Sequence, residues 1–253
     1  MKKHFLYFLF AASLLLSCGS DQGQPAKPDP AKDTAAVVTD TIQQKPVLAD
    51  AATIRSRPQV PVYCYHRIEA GRSGTIATDY SVTEGAFREQ LRWLSDSGYH
   101  TILPDELYAY LTEGKPLPPK PVMLTYDDTR AEHFAIAAKE MERYGFRGVF
   151  FIMNISINRP RYMSAEQLRT LADSGHCIAS HTWDHQDARK LKDADWDVQF
   201  ARPAARLQEI TGKPVQYFAY PFGIWTDSAA QSLKRRGVKA AFQLSAPRSA
   251  TEP

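Results

Sequence analysis

The sequence predicts an α/β fold, an irregular (β/α)7 barrel formed as a single domain over residues 59–253. Three observations lead to this prediction. Seven short apolar runs, rich in β-branched and aromatic residues, are typical of strands. Amphipathic helical patterns lie between these runs, and a glycine follows each helical pattern, as at a helix C-terminus. Strands that alternate with helices favour a parallel sheet, either a barrel or, as the alternative, a doubly wound open sheet.

The individual elements follow from the spacing of apolar residues. The predicted strands cover residues 60–65, 101–103, 122–126, 148–153, 177–180, 215–220 and 238–242. The predicted helices carry apolar residues at three- and four-residue spacing, as Phe87, Leu91 and Leu94 do. They cover residues 83–97, 132–144, 164–174, 193–211 and 227–236, and they are followed by Gly98, Gly145, Gly175, Gly212 and Gly237.

The amino-terminal segment resembles an export signal. Two lysines precede an apolar run from Phe5 to Leu16, which is too short to span a bilayer. Leu15-Leu16-Ser17-Cys18-Gly19 resembles the lipobox of bacterial lipoproteins and predicts a signal peptide over residues 1–17 with lipidation of Cys18. We therefore expect a protein held by lipid at the bacterial cell envelope, outside the cytoplasm, on its periplasmic or cell-surface face. A plain secretory signal is the alternative.

Composition separates a linker from the folded part. Residues 18–58 are predicted to be a lipidated cysteine and a disordered linker, because they contain almost no large apolar residues. Loss of residues 1–17 removes two lysines and no acidic residue, so the net charge falls from +3 to +1. This balance, with no basic stripe, argues against a nucleic-acid partner. Cys64 and Cys177 lie in apolar runs and are interpreted as small buried side chains.

Candidate site residues follow four of the predicted strands at their carboxyl ends. His66 follows the first strand, Asp127 and Asp128 the third, His181 the fifth and Pro221 the sixth. In both candidate architectures the active site lies at this end of the sheet. These residues are therefore predicted to meet at one rim.

Residue types and spacing at this rim indicate a metal site. His181 and His185 are four residues apart, which on a helical turn brings both rings to one side. A hydrolytic zinc site needs nitrogen and oxygen ligands together with an unligated carboxylate as base. An acidic pair can instead cap the following helix through Asp128 or Thr129. The combination favours the metal site, and no role is given to the isolated histidines His4, His100, His133 and His176.

Several segments resemble the polysaccharide deacetylases of carbohydrate esterase family 4, also called the NodB-homology domain. Thr125-Tyr126-Asp127-Asp128-Thr129 is similar to the family's Thr-Phe-Asp-Asp-Gly, and His181-Thr182-Trp183-Asp184-His185 to its histidine motif. Arg147-Gly-Val-Phe-Phe-Ile152 resembles the strand between them. The resemblance covers roughly residues 60–243 and is closest to the poly-N-acetylglucosamine deacetylase branch. It implies a hydrolase of carbon–nitrogen bonds in linear amides.

The resemblance also implies roles for residues. Asp128, His181 and His185 hold a divalent metal, with Zn²⁺ expected and Co²⁺, Ni²⁺ or Fe²⁺ also admitted by this ligand set. The metal activates a bound water that attacks the acetyl carbonyl, while Asp127 takes the water's proton as base. Tyr220-Pro221-Phe222-Gly223 is similar to a third motif, in which the backbone N–H of Phe222 stabilises the oxyanion.

The chain also departs from the family pattern. Ala219 stands where an arginine usually orients the base, and Thr129 replaces a glycine. No histidine follows His185, so the late Leu-x-His motif that supplies the general acid is absent. His66, in Tyr65-His66-Arg67, resembles the first strand of the poly-N-acetylglucosamine deacetylases, whose barrel is circularly permuted, and is the predicted acid. The alternative is a chain that ends before its last elements.

The sequence thus predicts a metal-dependent hydrolase that removes N-acetyl, or O-acetyl, groups from a cell-envelope or extracellular polysaccharide. The alternative is a carbohydrate-binding or export-accessory lipoprotein with a weak or inactive site on the same fold. Tyr126, Trp183, Pro221 and Trp225 are predicted to contact sugar. The expected partners are an acetylated polysaccharide and, through Cys18, the membrane. The protein is expected to be a monomer.

Overall fold

The computed structural model describes residues 48–69 and 80–244. Its strands are β1 (Val62–Tyr65), β2 (Arg67–Glu69), β3 (Ser81–Thr83), β4 (His100–Thr101), β5 (Pro121–Tyr126), β6 (Val149–Ile152), β7 (Cys177–Ser180), β8 (Tyr217–Ala219) and β9 (Ala240–Phe242). Its α-helices are α1 (Ala51–Ser56), α2 (Glu84–Asp96), α3 (Pro104–Glu113), α4 (Lys139–Glu142), α5 (Ala165–Asp173), α6 (Arg202–Thr211) and α7 (Asp227–Arg235). Turns of π-helix at His133–Ala138 and Asp197–Ala201 lead into α4 and α6.

The strands form a parallel sheet in the order β1-β5-β6-β7-β8-β9, with β4 pairing to the first residues of β5. A separate two-stranded sheet joins β2 to β3. In the register of β1 on β5, Tyr65 lies opposite Tyr126. The first strand of the main sheet therefore borders the strand that ends in the acidic pair, which is the neighbour relation expected of the permuted barrel.

Side chains of the sheet alternate between two apolar layers, because successive residues of a strand point to opposite faces. Met123 and Phe151 belong to the inner layer. Leu124 and Phe150 belong to the outer layer, where they share one buried cluster with residues of α2, α5 and α6. Helices thus cover the outside of the sheet, and the inside is filled by side chains of the strands themselves.

The two edges of the main sheet meet at one cavity. Cys64 of β1 and Phe242 of β9 line the same space of about 200 Å³, together with Phe151 of β6. Within the described residues the sheet order joins β1 only to β5 and β9 only to β8. The sheet is therefore rolled into an irregular barrel whose edges face each other, as predicted, and the doubly wound alternative is wrong.

Helix α3 was not predicted from the sequence. Pro104 occupies its first turn, where a missing N–H costs nothing, and two acidic residues follow. The Glu106 carboxylate accepts a hydrogen bond of 2.8 Å from the backbone N–H of Leu103. These local signals define a helix start, but the apolar periodicity over the next ten residues is weak.

Helix α1 corrects the predicted linker boundary. The Asp50 carboxylate caps this helix by accepting from the N–H of Thr53 at 2.8 Å. Arg57 then donates to the carbonyl of Leu111, which ties the segment to α3. Residues 51–56 of the predicted linker are therefore helical, and residues 18–47 of it, together with the signal peptide, lie outside the described residues. Among the described helices, none has the length and apolar character needed to cross a bilayer.

Candidate metal centre

The acidic pair stands on a sharp turn at the carboxyl end of β5. Asp128 and Thr129 both have left-handed backbone angles, with φ of 73° and 61°. A left-handed conformation is costly for a β-branched residue. The buried Thr129 Oγ1 accepts a hydrogen bond of 2.8 Å from the backbone N–H of Met153, which stabilises the turn. This bond explains why threonine is tolerated where the family pattern has glycine.

Asp128 faces both predicted histidine ligands. Its Oδ1 lies 3.7 Å from Nε2 of His181 and 3.6 Å from Nε2 of His185. His181 directly follows β7, whereas His185 is reached through a turn in which Thr182 and His185 have left-handed backbone angles. The predicted helical turn is therefore wrong, although the predicted meeting of the two rings is correct: their centroids are 4.9 Å apart.

A hydrogen bond fixes which ring nitrogen of His181 carries the proton. Its Nδ1 donates to the carbonyl oxygen of Ala219 at 2.8 Å, so Nε2 carries the lone pair that faces Asp128. Burial lowers the pKa of His181 to about 4, which keeps the ring neutral at physiological pH. A metal-ligating histidine requires this state, with one nitrogen free and the other bonded to a carbonyl.

The donor set fits a divalent cation. His181 Nε2 and Asp128 Oδ1 are buried and have no hydrogen-bond partner. Unpartnered buried polar atoms are rare in folded proteins and call for an explanation such as a bound ion. One ligand atom from each of Asp128, His181 and His185 lies within 4.8 Å of the other two. Two imidazoles and one carboxylate match a catalytic zinc site that keeps an open position.

Asp127 lies beside this group but points elsewhere. Its side chain is buried, with 5% of the residue exposed, and its Oδ1 has no hydrogen-bond partner. Burial, and then the negative charge of Asp128, raise the pKa of Asp127 to about 7. Its backbone N–H donates to the carbonyl of Tyr65 at 3.0 Å, which fixes the residue against β1.

His66 reaches the same region from the end of β1. Its Nε2 lies 3.8 Å from Oδ2 of Asp127, and burial lowers the pKa of the ring. On the other side, its Nδ1 lies 3.8 Å from the sulfur of Cys64. The structure therefore brings His66 to the predicted base, as the permuted arrangement requires.

The third motif forms a loop over His185. Phe222 has a left-handed φ of 62°, its side chain is 59% exposed, and its ring centroid lies 4.5 Å from that of His185. Gly223 is also left-handed, and a Cβ there would overlap Leu244. Ala219 contributes to the 200 Å³ cavity that Asp127 also lines, so no side chain from this position supports the base.

The four residues predicted to contact sugar differ in their burial. Tyr126 is fully buried on the outer face of β5, where its hydroxyl donates to the sulfur of Met141. Its prediction as a substrate-binding residue is therefore wrong, because the side chain after Thr125 points away from the barrel interior. Pro221 is buried, while Trp183 and Trp225 are half-buried near the rim. The Trp225 ring stacks on Tyr220 at 6.0 Å.

Sequence reasoning missed two neighbours of the site. His133 was given no role, yet it is fully buried and its Nε2 lies 3.0 Å from the backbone carbonyl of His66. Burial lowers the pKa of His133 to about 3, so the ring is neutral and Nε2–H donates this bond. Cys64 was interpreted as a buried apolar residue, yet its sulfur lies close to His66. The position of Cys64 in β1, two residues before His66 at the end of that strand, was the available signal.

Comparison with known proteins identifies the family. The model of the family described as polysaccharide deacetylase matches residues 114–241, half of the chain. The chain belongs to the polysaccharide deacetylase family. YxkH of Bacillus subtilis, whose name provisionally assigns it to polysaccharide deacetylases, is 28% identical over 92% of this chain and 89% of its own length.

Two further relatives are similar to this deacetylase. A poly-β-1,6-N-acetyl-D-glucosamine N-deacetylase of Staphylococcus epidermidis is 22% identical over 66% of this chain and 62% of its own length. The solved structure of IcaB from Ammonifex degensii aligns with a TM-score of 0.66, at 27% identity, over 74% of this chain and 84% of IcaB. The chain is thus an enzyme of a metal-dependent deacetylase family.

Proposed function

We propose that this deacetylase removes N-acetyl groups from a β-linked glucosamine polysaccharide, with Asp128, His181 and His185 as metal ligands. The observation that carries the proposal is the convergence of three donor side chains, two of them with unpartnered buried atoms, beside a buried carboxylate. A divalent cation bound there, for which we propose zinc, supplies Lewis acidity toward the acetyl carbonyl and a water molecule. Substrate class is inferred from the named activity of the Staphylococcus epidermidis relative.

Asp127 is the proposed general base. It directly precedes Asp128 but takes no part in the group of three donors, so its carboxylate is left to accept a proton. A base must lie within reach of the water it activates, and the adjacent position in the chain supports this. His66 is the proposed acid for the departing nitrogen; its Nε2 lies 3.8 Å from Asp127 Oδ2, a separation that a proton crosses through a bridging water.

The oxyanion donor is proposed to be the backbone N–H of Phe222. The support is the left-handed turn at this residue and the 4.5 Å between the centroids of its ring and the ring of His185, a proposed ligand. A backbone N–H aimed at a developing negative charge stabilises the transition state without reorganisation.

Acetate release tests this function. The full-length protein is incubated with acetylated β-1,6-linked glucosamine oligomers and with acetylated xylan, after removal of metal by a chelator and after its return. We expect acetate only from the glucosamine oligomers and only with metal present. Asp127→Asn should keep its metal but lose about 10²-fold or more in turnover. Asp197→Asn is the matched control, because this exposed carboxylate pairs with Arg236 outside the site.

Two results would contradict the proposal. Metal-loaded enzyme that releases no acetate from any acetylated glycan would exclude the activity itself. Normal turnover by Asp127→Asn would exclude this residue as the base while leaving the metal ligands in place.

We also propose that the enzyme is anchored to the cell envelope by lipid at Cys18. The support is the segment Leu15-Leu16-Ser17-Cys18-Gly19 after a short apolar run. Labelling cells with a fatty-acid probe should mark the full-length protein but not Cys18→Ala, whereas Cys177→Ser should still be marked. A labelled Cys18→Ala variant would contradict this anchor.

A further inference from the structure

A second group of potential ligands lies beside the three already described. Cys64, His66 and Asp127 each offer one ligand atom within 4.8 Å of the other two. The Cys64 sulfur is 3.8 Å from Nδ1 of His66, and Nε2 of the same ring is 3.8 Å from Oδ2 of Asp127. None of these residues belongs to the group of Asp128, so the two groups are adjacent but separate.

The spacing of this second group suits a bound cation. In a tetrahedral zinc site, metal–ligand distances of about 2.0–2.3 Å place neighbouring ligand atoms roughly 3.3–3.7 Å apart. One ring nitrogen of His66 can bind a given cation, and through Nδ1 the Cys64 sulfur lies 3.8 Å away, about a tenth of an ångström beyond this range. The ligand atoms that the three residues offer lie within 4.8 Å of one another, the same limit that the group of Asp128 meets, so small side-chain movements bring them onto one cation.

An unpartnered atom independently indicates a ligand here. Asp127 is more than nine-tenths buried, and its Oδ1 has no hydrogen-bond donor. The Cys64 thiol bonds this carboxylate, but a buried carboxylate oxygen left without a donor is costly unless a cation compensates it. Cys64 and Asp127 both line the 200 Å³ cavity between the sheet edges, which gives a small ion space to enter beside them.

We propose that Cys64, His66 and Asp127 form a second cation site. The site favours divalent cations that bind thiolates, namely Cd²⁺ and, when it is present in excess, Zn²⁺. Occupation of this site inhibits the enzyme. Sulfur as a ligand favours soft cations, whereas the first group offers only nitrogen and oxygen. The thiol proton passes to solvent as the sulfur binds the cation. Binding also removes Asp127 and His66 from the reaction, and this inhibitory half of the proposal rests on the proposed function.

Cadmium titration tests the binding half. Metal-free full-length protein is titrated with Cd²⁺, and bound metal is counted while the ultraviolet thiolate-to-cadmium charge-transfer band is recorded. We expect two ions per chain in the wild type, with the band present. Cys64→Ser should bind one ion fewer and lose the band, and Cys64→Ala should do the same if the serine variant does not fold. Cys177→Ser is the matched control and should keep both the two bound ions and the band. Cys18 is present in the wild type and in every variant compared.

The first site is separated from the second by Asp128→Ala. This variant should lose one bound ion and retain the band, because Cys64, the sulfur ligand of the second site, is unchanged. A wild type without the band, or a Cys64→Ser variant with an undiminished band, would overturn the second site.

Inhibition by excess Zn²⁺ tests the inhibitory half of the proposal. Acetate release is measured at rising Zn²⁺ beyond the amount that restores activity, and each protein is compared with its own maximum. The concentration of Zn²⁺ that halves activity should be at least tenfold higher for Cys64→Ser than for the wild type. An equal concentration for both would overturn inhibition through this site. Protein that shows the band but releases no acetate would contradict the proposed function and leave the second site supported.

Discussion

Acidification should destabilise the folded deacetylase through His176, a buried residue at the opposite end of β7 from the ligand His181. Only 7% of this residue is exposed, and its ring packs edge-on against Phe150 at 5.3 Å. Its Nδ1 accepts a hydrogen bond of 3.0 Å from the backbone N–H of Gly148, which requires an unprotonated nitrogen. Burial, and then the charge of Arg147, lower the pKa of His176 from 6.5 to about 4.

The size of the effect follows from the two pKa values. Because the folded pKa lies below the unfolded pKa, the stabilising contribution of His176 is fully present above pH 6.5 and is lost as the pH falls toward 4. Each unit of difference corresponds to about 1.4 kcal/mol. Between roughly pH 7.5 and pH 5, the free energy of unfolding should therefore fall by about 2 kcal/mol on account of His176 alone.

Urea unfolding followed by circular dichroism measures this loss in metal-free protein at both pH values. His176→Asn keeps an acceptor near the Gly148 N–H but has no ionisable ring, so its loss should be about 2 kcal/mol smaller than that of the wild type. Ile178→Val is the control: it removes one buried methyl group at a cost of about 1 kcal/mol at both pH values. If wild type and His176→Asn lose the same free energy, His176 is not held neutral by the fold.

Three further predictions concern the site. His181→Ala should abolish binding of the first metal ion and acetate release together, because it removes an unpartnered ligand atom; metal analysis that finds this ion fully retained would contradict the prediction. His66→Ala should lower turnover about 10²- to 10⁴-fold while the first metal stays bound, and near-normal turnover would exclude His66 as the acid. Tyr126→Phe should leave the KM for the glycan unchanged, because its hydroxyl bonds Met141 in the outer core; a raised KM would show that the ring reaches substrate after all.

The rim of the barrel was predictable because chain order carries the geometry. Parallel strands end on one side of a sheet, so His66, Asp127 and His181 had to come near one another once their strands were recognised. The two-residue alternation along β1 and β5 determines which side chains point inward. Tyr126 was misplaced because the family motif was carried over without counting this alternation.

Other features depend on contacts that no local pattern records. The turn from His181 to His185 has left-handed angles at Thr182 and His185, stabilised by the His185 N–H donating to Thr182 Oγ1 at 2.8 Å. Spacing alone favoured a helical turn there. The contact of Cys64 with His66 is local, but its significance depends on Asp127, which lies more than sixty residues away in the chain. Long-range pairing had to be known before Cys64 could be interpreted.

The hydrogen bond from His181 to position 219 has an evolutionary consequence. The acceptor is the backbone carbonyl of Ala219, not its side chain. Substitutions at this position can therefore change the surroundings of Asp127 without altering the tautomer of the ligand histidine. The metal ligands and the side chain that orients the base can therefore change independently during divergence. This chain is an example, because alanine replaces the arginine at position 219 while His181 keeps its hydrogen bond to the backbone there.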